Sequence, residues 1–192
     1  MSTGTSSKIT AKTAAELCQQ FALGEDAKKL LRDGMAPKPF FDQLVEKKLN
    51  EDAARFLAYA LPKREAVWWA CLCARQAHGP KPEQKIADAI QAAEKWAADP
   101  SEENRRAAMP AAEKAEFGTP AGCAAVAAFW SGGSLAPPNV PAVPPKEGLT
   151  AHGVSCAVML AAVMKEPEKA AEKYAQYFKL GAEVAAGANR WK

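Results

Sequence analysis

Five cysteines and two histidines have the most chemistry to offer in this chain, and their spacing decides how much of it is usable. Cys71 and Cys73 stand two residues apart in an uncharged run, which looks like half of a metal site. On a helix that spacing sets the sulfurs about 200° apart. They cannot reach one ion together and are expected as reduced, buried thiols. His152 and Cys156 are four residues apart and do share a helical face. A nucleophilic pair would also need an orienting carboxylate and oxyanion donors. Cys156 lies a full turn beyond the helix start, too deep for the N-terminal field to favour a thiolate. Glu65 beside Trp68 and Trp69 could be a carboxylate of raised pKa, although in a first helical turn the dipole stabilises its ionised form. There is no P-loop, dinucleotide fingerprint or zincin motif. We expect no metal, no cofactor and no catalytic residue.

Other motifs carry less chemistry. Trp130-Ser131-Gly132-Gly133-Ser134 is glycine-bearing but follows a helix, whereas a phosphate cradle needs the N–H groups of a helix that comes after it. Arg64 and Trp68 are placed for a cation–π contact. Lys28-Lys29, Lys47-Lys48 and Arg105-Arg106 are scattered among acids and read as solvated faces. A net charge of +3 with pI ≈ 8.6 falls short of the basic patch of a nucleic-acid binder.

The elements that must position these residues are helical. Alanine is abundant while Ile, Val and Thr are sparse, and no segment sustains strand alternation. The uncharged run from Ala66 to Ala74 goes all the way round a helix, so it is expected to be covered on every side, with Trp68 and Trp69 both buried. Thr13-Ala14-Ala15-Glu16 fits a capping box opening a helix that stops near Gly24. A short helix over 25–33 buries Leu30 and Leu31. Further helices open at Pro37 and Asn50. Ile86, Ala89, Ile90, Ala93, Trp96 and Ala97 make one apolar stripe on a helix ending at Ala98. Asp99-Pro100-Ser101-Glu102 starts a peripheral helix, broken or kinked at Pro110. Thr119-Pro120 starts an Ala-rich helix, Thr150 another, and Glu166-Pro167 the last. Trp191 is placed to fold back onto the body.

This pattern predicts an all-α fold: a single-domain array of eight to ten helices, orthogonal or in stacked pairs, with helices 62–77 and 150–164 innermost. Residues 1–9 read as a mobile tail without the apolar stretch of a signal peptide, and 10–192 as one domain. The apolar segments are too short to span a membrane, and free cysteines fit a cytoplasmic setting. The sequence assigns no oligomeric state.

Residues 131–148 are the one long irregular segment, with Pro137, Pro138, Pro141, Pro144 and Pro145. Prolines at that density favour an extended path. Leu135, Val140 and Val143 between them are expected to hold the segment against the helices, since disordered linkers are poorer in aliphatics. Its outer edge, with Trp130, Leu135, Pro137, Pro138 and Val140, is the candidate surface for an unidentified protein partner.

Two blocks carry a resemblance: Arg64-Glu65-Ala66-Val67-Trp68-Trp69-Ala70-Cys71 and Phe129-Trp130-Ser131-Gly132-Gly133-Ser134-Leu135-Ala136-Pro137-Pro138. With them the chain, from about residue 11 to 191, resembles an uncharacterised bacterial all-helical family, a domain of unknown function loosely associated with type VI secretion gene clusters. The resemblance implies an accessory role near such a machine and brings no activity or catalytic residue. The expected function is therefore a non-enzymatic, adaptor-like interaction protein. The alternative is an enzyme of unknown class with Cys156 or Glu65 in a pocket.

Overall fold

Ten α-helices follow one another among residues 7–188, the part of the chain described by this computed structural model, and no strand occurs among those residues. They are α1 (Ala14–Cys18), α2 (Glu25–Leu30), α3 (Pro37–Glu46), α4 (Asn50–Ala60), α5 (Lys63–His78), α6 (Gln84–Ala98), α7 (Glu102–Ala115), α8 (Pro120–Phe129), α9 (Leu149–Val163) and α10 (Ala170–Ala185), the last entered through a 3-10 turn. The array is a single all-α domain of stacked helices. Trp191 lies outside the described residues, as do residues 1–6. Within the N-terminal stretch, the Lys8 N–H donates to Ala185 O at 2.7 Å.

Several starts and stops follow from local chemistry. Thr13 Oγ1 accepts from the Glu16 N–H, and the Glu16 carboxylate reaches back to the N–H of Lys12. That helix is shorter than its sequence suggests: it ends at Cys18, and Phe21 leaves it to pack against the Tyr59 ring at 4.7 Å. In α2 the buried residue is Ala27, while Leu30 and Leu31 are half-buried. Asn50 provides no cap for α4. Ser101, not Asp99, caps α7, and Asn104 Nδ2 ties Asp99 in by two bonds. That helix runs unbroken through Pro110, which is exposed, so the carbonyl left without its N–H, that of Arg106 four residues back, lies on the same outer side.

The centre of the molecule is α8. All ten of its residues are buried, against α5, α6, α7 and α9. The expectation that α5 and α9 are innermost is therefore corrected: they flank the true centre. An alanine helix is thin, and its neighbours approach closely. At Gly153 of α9 an added Cβ would come within 2.9 Å of Ala127 Cβ.

Helix α5 is less enclosed than its composition implies. Trp69 is fully buried, its indole N–H donating to Tyr177 O at 2.8 Å, and the Tyr177 hydroxyl donates on to Ala161 O. This chain of bonds ties α5, α10 and α9 together. Trp68, expected to be buried too, is half-buried beside an open cleft of ≈ 660 Å³ against α6. The covering element on that side is one amphipathic helix, whose predicted stripe is buried at all six positions.

Helices α5 and α9 run parallel. Lys63 and Ala66 share a cavity with Gly148, Thr150 and Ala151 at one end. At the other, the Lys165 ammonium donates to Ala77 O and His78 O. Their dipoles therefore add, with cationic side chains at the C-terminal end, where the field favours them. Among the described residues no helix is long and apolar enough to cross a membrane.

Candidate functional site

The proline-rich segment begins where α8 stops, at the half-buried Trp130. Prolines accept hydrogen bonds but donate none, so such a segment has more carbonyls than N–H groups to match them. Here the deficit is met by cations. Arg105 donates to Phe129 O at 2.5 Å and to Ser134 O at 3.0 Å, with its guanidinium 4.7 Å from the Phe129 ring centre. Arg106 donates to Ala136 O and Ser134 O, and the Lys63 ammonium to Ser131 O at 2.7 Å. Both arginines converge on Glu102, Arg105 through two bonds of 2.6 and 2.8 Å. These guanidinium bonds hold the Glu102 carboxyl down at about 2 against the opposing effect of its desolvation.

Arg105-Arg106 is thus not a solvated face: the Arg105 side chain is only 4% exposed. The signal in the sequence is Glu102, Arg105 and Arg106 at i, i+3 and i+4, one helical face. Gly133 belongs to the same device. It takes φ +61°, and a Cβ there would stand 2.9 Å from Glu102 Oε2 and 3.0 Å from Arg105 Nε, so the backbone approaches as only glycine permits.

Beyond this base the loop doubles back. The Leu135 N–H donates to Val143 O at 2.8 Å, and Ser134 Oγ accepts from the N–H groups of Ala136 and Val143. The tip turns where Val140 N–H meets Pro137 O. An extended strap fixed by aliphatic side chains was expected, and this is corrected: Val140 and Val143 are 47% and 51% exposed. The arginine forks hold the segment, five donors each being a better match for bare carbonyls than methyl groups are. Of the candidate partner residues, Trp130 and Leu135 sit half-buried at the root, while Pro137, Pro138 and Val140 are exposed at the tip.

The residues singled out for chemistry lie elsewhere, in separate places. Cys71 Sγ points toward Ile90 O on α6, whereas Cys73 lies near Tyr177 of α10, so the two thiols do face opposite ways. Burial raises both their pKa values well above the ordinary thiol value. Cys156 Sγ and His152 Nε2 are 3.8 Å apart, and burial raises the Cys156 pKa, only partly offset by Arg55. Glu65, buried in the first turn of α5, faces Lys8 at 3.8 Å. Arg64 donates to the carbonyls of Ala97 and Ala98, closing the end of α6. Among the described residues no three His, Cys, Asp or Glu side chains converge as a metal-ligand set.

The chain matches no curated protein and no solved structure. A family model does match, over residues 40–185, the span from α3 to the end of α10 that contains both the helical core and the arginine-held loop. The chain belongs to the family of unknown function DUF6931.

Proposed function

We propose that this chain is a non-enzymatic interaction protein, an accessory or adaptor that meets its partner with the tip of the proline-rich loop. The observation that carries the reading is a contrast within one segment. A buried arginine fixes the base, while Val140 and Val143 stand half-exposed between prolines. A loop held this way loses little entropy on binding, because its φ angles and its base are already fixed. The partner it suits is a protein with an aromatic-lined pocket that takes a turned, proline-bearing tip. Pro137, Pro138 and Val140 supply the contact, and Trp130 and Leu135 support it from the root. Residues 10–192 act as one unit in the cytoplasm, with no nucleic acid or membrane involved. The resemblance to a family near type VI secretion gene clusters names the machinery from which the first partner candidates come.

The alternative, an enzyme working from Cys156 or Glu65, has less behind it. Burial disfavours the thiolate of Cys156, and Glu65 is paired to Lys8. The test is the double variant Val140→Asp, Val143→Asp. Exposed substitutions change stability by about 0.5 kcal/mol or less, so the melting temperature stays and capture of the partner from host extract is lost. Unchanged capture contradicts the proposal.

A further inference from the structure

Two of the longest helices lack a side-chain cap at their N-termini, and both ends open on one cavity. α5 begins after Pro62 and α9 after Gly148, neither with a side chain accepting from the first turn. Their first intrahelical bonds are Ala66 N–H to Pro62 O and His152 N–H to Gly148 O, both 2.9 Å. The preceding amides, those of Thr150 and Ala151 among them, are the donors a helix start leaves over. Because the helices run parallel, their positive ends lie side by side.

The cavity between them has a volume of ≈ 110 Å³ and is lined by Tyr59, Lys63, Ala66, Glu147, Gly148 and Thr150, among others. A water needs roughly 10–15 Å³ open to its centre, so there is room for a group of several heavy atoms. Thr150 is the telling residue. It lines the cavity, is 2% exposed, and its Oγ1 is buried without a hydrogen-bond partner. A buried hydroxyl left unpaired is destabilising, so such groups call for a partner. Lys63 lies at the rim with its ammonium anchored on Ser131 O, which leaves it further donors. Glu147 is the one opposing charge in the lining, and it is exposed, where water screens it.

We infer that this cavity is a binding site for a phosphate group, held by the paired N-termini of α5 and α9, the Thr150 hydroxyl and the Lys63 ammonium. Aligned amides and a lysine suit a compact anion of charge near −2. The site is distinct from the loop tip and does not depend on the interaction reading, although Lys63 also holds the base of the loop at Ser131 O.

The test is thermal denaturation of the purified chain in sodium phosphate against sodium chloride at equal ionic strength, pH 7.5. Inorganic phosphate raises the Tm saturably, by about 3–5 °C at tenfold over Kd. Thr150→Val keeps the shape and removes only the hydroxyl. It leaves the Tm in chloride unchanged or higher and weakens phosphate about tenfold. Lys63→Met weakens it comparably. Phenyl phosphate distinguishes the source: exclusion means a free anion, and a shift equal to that of phosphate means the phosphate end of a larger ligand. A rise that never saturates, or one identical in wild type and Thr150→Val, is salt exclusion from the surface and overturns the site.

Discussion

Arg105→Ala takes away the centre of the loop's base, and its cost can be worked from the contacts. The Phe129 carbonyl loses its guanidinium donor and is left buried, a penalty of about 1–3 kcal/mol. The cation–π contact with the Phe129 ring contributes about 0.5–1 kcal/mol. Ser134 O keeps a long bond to Arg106, and Glu102 keeps Arg106 at 2.7 Å. The Glu102 side chain is 54% exposed, so the lost ion pair adds little. The sum is about 1.5–4 kcal/mol, read from denaturant midpoints at constant m-value. A second readout separates the loop from the core. Hydrogen exchange of the Leu135 and Val143 amides, bonded to Val143 O and Ser134 Oγ, accelerates more than that of core amides in α8. Arg105→Lys falls between, since one ammonium cannot span Phe129 O, Ser134 O and Glu102 together. An unchanged midpoint with full protection at both amides refutes the arginine clasp.

Three further outcomes follow from the packing and charges. Trp69→Ala costs about 3–5 kcal/mol in chemical denaturation, whereas Trp68→Ala costs less because that ring is half-buried. Gly181→Ala lowers stability by about 1–3 kcal/mol, since a Cβ there would stand 3.0 Å from the Trp69 ring and 2.5 Å from Leu57 Cδ2; an unchanged Tm would mean the ring can move aside. Acid loosens the loop base: the Glu102 pKa is depressed from 4.5 to about 2 on folding, so its contribution is complete above about 4.5 and is lost as pH falls toward 2. Glu102→Gln removes that part of the acid dependence, as a Tm series from pH 6 to 2 records.

The legible parts of the fold were those written in periodicity and caps. The stripe from Ile86 to Ala97 stated its own burial, and Thr13 and Thr119 marked real helix starts, while the start at 99–102 was signalled with its cap two residues early. The opposed thiols of Cys71 and Cys73 needed only the geometry of a helix. What escaped was set by tertiary partners. Pro120–Phe129 gives no periodic signal because it is apolar on every side and small, and bulk drew attention to the tryptophans instead. Arg105 looked like any surface cation, since nothing local says that the end of α8 and a loop of bare carbonyls will settle on it. Of the candidate site, the segment and its exposed prolines could be read in advance. Of the means of holding it, only the one-face spacing of Glu102, Arg105 and Arg106 is local; the carbonyls they meet and the approach of Gly133 are set by tertiary contacts.

The loop tip as partner surface is tested most directly by photo-crosslinking in the host cell. A photo-reactive phenylalanine analogue replaces Val140 at the exposed tip, and in a control the exposed Lys28 of α2. One discrete adduct is expected from position 140, lost when Pro137 and Pro138 are changed to glycine, and none from position 28. No adduct at 140, or the same adduct from both positions, contradicts it.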